Sequence, residues 1–77
     1  MNSIYLSDLI PGQKCRVIRI ESGDGAGRRI AEMGLTPGTI IEVERVAPLG
    51  DPVEIKVLGY HLSMRKVELS CIEVAPL

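Results

Sequence analysis

Apolar and polar residues alternate along five short stretches of the chain, and this alternation predicts five β-strands. In the first, Cys15 and Val17 share a face and Arg16 takes the other; in the second, Ile41 and Val43 share a face and Glu42 opposes them. Val53, Ile55 and Val57 alternate with Glu54 and Lys56 in the third. Leu62 and Met64 point inward in the fourth, reached through a turn at Gly59-Tyr60 that makes strands three and four a tight hairpin. Ile72 and Val74 form the fifth, after a segment from Arg65 to Leu69 expected as a turn or one short 3₁₀ piece. Five short strands in succession predict a mainly β protein closed into a barrel. Its expected core is Val17, Ile41, Val43, Val53, Ile55, Val57, Leu62, Met64, Ile72 and Val74.

A short repeat punctuates the first half. Leu9-Ile10-Pro11-Gly12 leads into the first strand as Leu35-Thr36-Pro37-Gly38 leads into the second. Proline presets φ at the second position of a turn and glycine accepts positive φ at the third, so each unit predicts a type II turn that starts a strand. Between the repeats, Ala26, Ile30 and Met33 recur at helical spacing and Gly34 stands where a helix stop belongs, which predicts one helix of about two turns between strands one and two. Ser22 or Asp24 would cap its start, and Leu35 would supply the apolar contact of a glycine-terminated helix. A further short turn is expected at Ser7-Asp8-Leu9.

Composition narrows what such a barrel does. The 77 residues, 45% hydrophobic and 25% charged, suit one small globular core, so residues 1–77 read as a single domain. A formal net charge of -1 provides no field to gather nucleic acid or an anionic membrane. The chain has no Trp and no Phe, and its two Tyr, Tyr5 and Tyr60, are too few for the stacking platforms that hold single strands or proline-rich peptides. Nucleic-acid binding and direct membrane insertion are therefore not expected. Cys15 and Cys71 form neither a C-x-x-C motif nor a zinc pattern and read as reduced structural thiols. With no membrane-spanning run and no signal peptide, the expected location is cytoplasmic.

Candidate chemistry is sparse. Gly23-Asp24-Gly25-Ala26-Gly27 precedes a helix as a phosphate loop would, yet fits neither the Walker pattern nor G-x-G-x-x-G, because Arg28 takes the last glycine position. It reads as a loop. His61 is the one histidine; strand parity turns it outward, away from Leu62 and Met64, and no ligand-spaced partner accompanies it. No metal site, cofactor or catalytic set is assigned, and no enzyme activity is expected. Two surfaces suit a macromolecular partner. One is the helix, with Arg28, Arg29, Ile30, Glu32 and Met33; the other is the loop Ala47-Pro48-Leu49-Gly50-Asp51-Pro52, whose prolines stiffen a stretch that exposes Leu49 beside Pro48 and Asp51.

Four motifs occur together: R-R-I-A-E-M-G-L from Arg28, T-P-G from Thr36, A-P-L-G-D-P from Ala47 and G-Y-H-L-S-M-R-K from Gly59. In order and spacing, over nearly the whole chain, they resemble the FeoA family, with Ile30 standing where leucine is common. The resemblance implies an SH3-like five-stranded barrel and an accessory or regulatory role in ferrous iron uptake, through binding the cytosolic region of the FeoB membrane GTPase transporter. Related barrels end iron-dependent repressors, but the chain shows no winged-helix part and resembles the transport component. A homo-oligomer is a further partner class. The alternative role is a metal-responsive barrel that binds Fe²⁺ or another divalent metal directly.

Overall fold

The structure, a computed structural model, describes residues 3–21 and 26–77. Six strands and two short helices follow in the order β1 (Ile4–Tyr5), β2 (Lys14–Ile20), α1 (Ala26–Glu32), β3 (Ile40–Val46), β4 (Val53–Val57), β5 (Tyr60–Met64), α2 (Lys66–Leu69) and β6 (Ile72–Pro76), with a 3₁₀ turn at Leu6–Asp8. All pairings are antiparallel in the order β1-β6-β2-β3-β4-β5. The five expected strands are present, and the two-residue β1 extends the sheet beyond them by pairing Ile4 with Val74 and Tyr5 with Glu73. A stretch of two residues carries no readable alternation; its pairing partner alone makes it a strand.

Both type II turns form as expected. Gly12 and Gly38 adopt φ of 94°, and the amides of Gln13 and Thr39 close the turns on the carbonyls of Ile10 and Thr36, each at 3.1 Å. The β4–β5 hairpin is one residue out of the expected place. Val57 pairs with Tyr60, so the turn is Leu58-Gly59, and both residues have positive φ, 50° and 86°. That is the type I′ requirement, which matches the twist of the flanking strands. The segment before β6 is an α-helical turn, α2, and its Glu68 carboxylate accepts the Arg65 N–H at 2.9 Å. The turn expected at Ser7-Asp8-Leu9 is the 3₁₀ turn, one residue earlier and held by the Asp8 carboxylate on the Tyr5 N–H.

Inward side chains close one core. Nine of the ten expected core residues are buried, and Leu62 is half-buried against them. Leu6, Cys15, Ile30, Leu35 and Leu69 join the core as well, each 1% exposed or less. These additions come mostly from outside the strands. Leu6, Ile30, Leu35 and Leu69 lie outside the strands, where strand alternation says nothing about which residues turn inward, and pack into the same core.

Candidate functional site

Helix α1 is held to the barrel at its C-terminal end. The Gly34 N–H bonds the Ala31 carbonyl at 2.9 Å and the Leu35 N–H the Ile30 carbonyl at 3.4 Å, while Gly34 adopts φ of 92°. This is the paired closure of a Schellman motif, with Ile30 and Leu35 both buried as its apolar contact. The Tyr60 hydroxyl adds a hydrogen bond of 2.6 Å to the Met33 carbonyl, which fixes the helix end to β5. The proposed caps Ser22 and Asp24 and the glycine-rich loop up to Gly25 lie outside the described residues, as does the side chain of Arg28.

The residues singled out for partner contact divide into three groups. Ile30 is fully buried and Met33 is half-buried against the core, so both seat the helix; Ile30 presents nothing to a partner. Arg29 and Glu32 are exposed, and the Arg29 guanidinium reaches Glu68 of α2 at 3.0 Å. Pro48, Leu49 and Asp51 are exposed on the β3–β4 loop, with Leu49 96% exposed. This loop is braced: the Gly50 N–H bonds the Ala47 carbonyl at 2.7 Å, and the Ala47 N–H bonds the Pro52 carbonyl at 3.0 Å. Leu49 is thus an apolar side chain held up on an ordered turn.

Sequence reasoning did not assign α2 to this surface, and α2 is what links its two halves. One Glu68 oxygen accepts the Arg65 N–H and the other meets Arg29, so the carboxylate, 8% exposed, caps α2 and binds α1 together. Asp51 accepts the Lys66 N–H at 2.8 Å and lies 3.7 Å from the Arg65 guanidinium, which ties the proline loop to the same helix start. Exposed Val67 stands on that helix. The available signal was Glu68 three residues after Arg65, the spacing of a carboxylate that folds back on a helix start. Because Arg29 partners a nearly buried carboxylate, removing it leaves Glu68 without its counter-charge, so Arg29 serves the fold as well as the surface.

His61 lies on the outer face of β5 with its Nδ1 against a carboxylate oxygen of Glu44. Among the described residues, no group of three or more His, Cys, Asp or Glu side chains is placed to hold a metal ion. No described helix is long and apolar enough to cross a membrane.

A small antiparallel barrel of this topology, with a short helix between its second and third strands, is an SH3-like barrel. It shares this fold with zinc-complexed FeoA of Stenotrophomonas maltophilia, described as a prokaryotic SH3 domain protein (TM-score 0.82, 22% identity, covering 94% of this chain and 89% of that one). The family model of the FeoA domain matches residues 4–76, and the chain belongs to the FeoA family. The FeoA-like protein of Clostridium acetobutylicum superimposes with a TM-score of 0.93 at 38% identity, covering 100% of this chain and 90% of that one. A fusion protein of Porphyromonas gingivalis, Fe(2+) transport protein A joined to the Fe(2+) transporter FeoB, is 38% identical over 69 residues. That match covers 90% of this chain and 8% of the fusion protein's length.

Proposed function

We propose that this protein is an accessory of ferrous iron transport that docks on the cytosolic region of a FeoB-type transporter. The docking surface is the one built from α1, α2 and the proline loop. The observation that carries this reading is the Porphyromonas gingivalis fusion, in which a relative of this chain and a FeoB transporter share one polypeptide. A covalent link keeps two modules at high effective concentration, an arrangement suited to partners that otherwise meet by docking. The braced loop supports the reading, because an exposed leucine on a preorganised turn can enter a partner's pocket at little ordering cost.

The test is co-purification with a FeoB-type transporter from the same cell, and its GTPase rate, with and without the barrel. Leu49→Asp should lower affinity at least about tenfold, the loss of roughly 1.4 kcal/mol expected when a buried apolar anchor becomes charged. It should leave the thermal midpoint unchanged, since Leu49 packs on nothing in the free protein. Arg29→Glu is a poorer probe, because it also places a like charge on Glu68. Undiminished binding by folded Leu49→Asp would remove the proline loop from the interface, and no association in either nucleotide state would remove the transporter as partner.

A further inference from the structure

A second face of the barrel breaks local folding rules in a way the core does not need. Leu58, the first residue of the type I′ turn, holds φ of 50° and is 72% exposed. A branched side chain in the left-handed region is strained, and type I′ turns normally place Asn, Asp or Gly there. Leu58 is not compensated by burial. Beside it on β3, Ile40 turns outward and is 40% exposed, although Ile41 next to it is fully buried. Both line a groove of about 420 Å³ whose remaining walls are Lys14, Glu42, Lys56 and the backbone around Gly38, Thr39 and Gly59.

The charges around this groove are uneven. Sheet register places Lys14 opposite Glu42, Glu42 opposite Lys56, and Arg16 opposite Ile40. Lys14 and Lys56 thus flank Glu42 with Arg16 in the next row, while Glu44, two residues along β3, is taken up by His61, on a chain whose formal net charge is -1. Among the described residues neither Lys14 nor Lys56 enters an ion pair, whereas Arg19, Arg29, Arg45 and Arg65 all do. An exposed apolar pair in the row next to two unengaged lysines is complementary to an apolar side chain accompanied by carboxylates. Glu42, midway between the lysines, opposes a continuous polyanion such as a phosphodiester chain but is tolerated by carboxylates set to either side. Lys14 and Lys56 lie two strand spacings apart, about 10 Å, a span that acidic residues on both sides of one apolar residue cover once the flexible lysine stems adjust.

We infer that this groove binds an extended acidic peptide segment, seating one apolar side chain between Ile40 and Leu58 while its flanking carboxylates meet Lys14 and Lys56. The groove shares no lining residue with α1, α2 or the proline loop, although Thr39 bonds the Gly34 carbonyl at the end of α1, and the inference does not depend on the transporter reading. Strain kept at an exposed position is then explained by the partner: the turn displays Leu58 before the peptide arrives, so binding does not have to order it.

The test is a titration of ¹⁵N-labelled protein with an acetylated, amidated peptide of alternating glutamate and leucine, followed by amide shifts. Saturable shifts are expected at Ile40, Glu42, Lys56, Leu58 and Gly59, weakening as salt rises. The same peptide with lysine in place of glutamate should not bind. Leu58→Gly relieves the positive-φ strain, so it stays folded, and should lose most of the affinity through the missing side chain alone. The double variant Lys14→Gln/Lys56→Gln should weaken binding about tenfold, at a few-fold per exposed charge. Leu49→Asp should leave this affinity unchanged, which separates the groove from the transporter surface. Binding that survives both groove variants, equal binding of the lysine peptide, shifts confined to other faces, or binding of anionic lipid vesicles but not of the peptide would each overturn the inference.

Discussion

Cys15 is an inward residue of β2 with no solvent exposure, and burial pushes its thiol up to about 11, because an apolar surround disfavours the thiolate. Its alternation with Arg16 places it on the inner face, so its burial was legible; the size of the shift depends on how completely the barrel closes over it. A thiol whose folded value lies above its unfolded one stabilises the fold fully below the unfolded value, and that contribution is lost as pH rises toward the folded value. Denaturant unfolding of the parent protein and Cys15→Ala should therefore differ by a constant amount below about pH 8. The gap should shrink by about 2 kcal/mol between roughly pH 9 and pH 11. A gap independent of pH would mean that the thiol is not shielded. Ile30 teaches a different lesson at this scale. Its place in a helix motif suggested a partner contact, but a residue on a seven-residue helix faces the core or solvent according to how the helix is docked, and Ile30 faces the core.

At the scale of elements, α1 depends on its ending. A helix this short is unstable alone and persists through the packing of its buried side and the satisfaction of its last carbonyls. Gly34 was recognisable as a stop, and Leu35 as the contact beyond it. Neither Tyr60 nor its bond to the Met33 carbonyl was, since these residues are 27 positions apart. A Cβ at Gly34 would lie 3.1 Å from the Tyr60 hydroxyl oxygen in addition to enforcing a left-handed alanine. Gly34→Ala should lower stability by about 1–2 kcal/mol, and Tyr60→Phe by about 1 kcal/mol for one hydrogen bond. Because the two changes meet at the same atoms, the double variant should be less damaged than the sum of the singles, as a double-mutant cycle by thermal or denaturant unfolding would show. Strict additivity would mean that the tyrosine does not brace the helix end. The hairpin turn misplaced by one residue is the complementary case: glycine marked the turn, but only cross-strand register could show that Leu58, not Tyr60, shares it.

At the scale of the whole molecule, closure of the barrel joins the inner strand faces and the side chains contributed by helices and loops into one core. A chain of this size is stabilised by about 4–12 kcal/mol at 0.05–0.15 kcal/mol per residue. An unpaired carboxylate at Val43, 1% exposed, would cost several kcal/mol and exhaust that margin. Val43→Asp should be unfolded by far-UV circular dichroism, whereas Val67→Asp, at a site 70% exposed on α2, should fold normally. A folded Val43→Asp protein would refute the inward assignment of β3. The five longer strands with their inward positions, both proline turns and the helix stop follow from the sequence, because alternation and turn chemistry act over a few neighbouring residues. The likeness to FeoA was legible on the same terms, as short motifs in a fixed order. Tertiary structure alone decided that Leu6 and Leu69 join the core, that Glu68 and Asp51 join α1, α2 and the proline loop into one surface, and that Ile40 and Leu58 stand together beside Lys14 and Lys56. Each of these depends on contacts between residues distant in the chain, and such contacts exist only once the sheet has curled and brought them together.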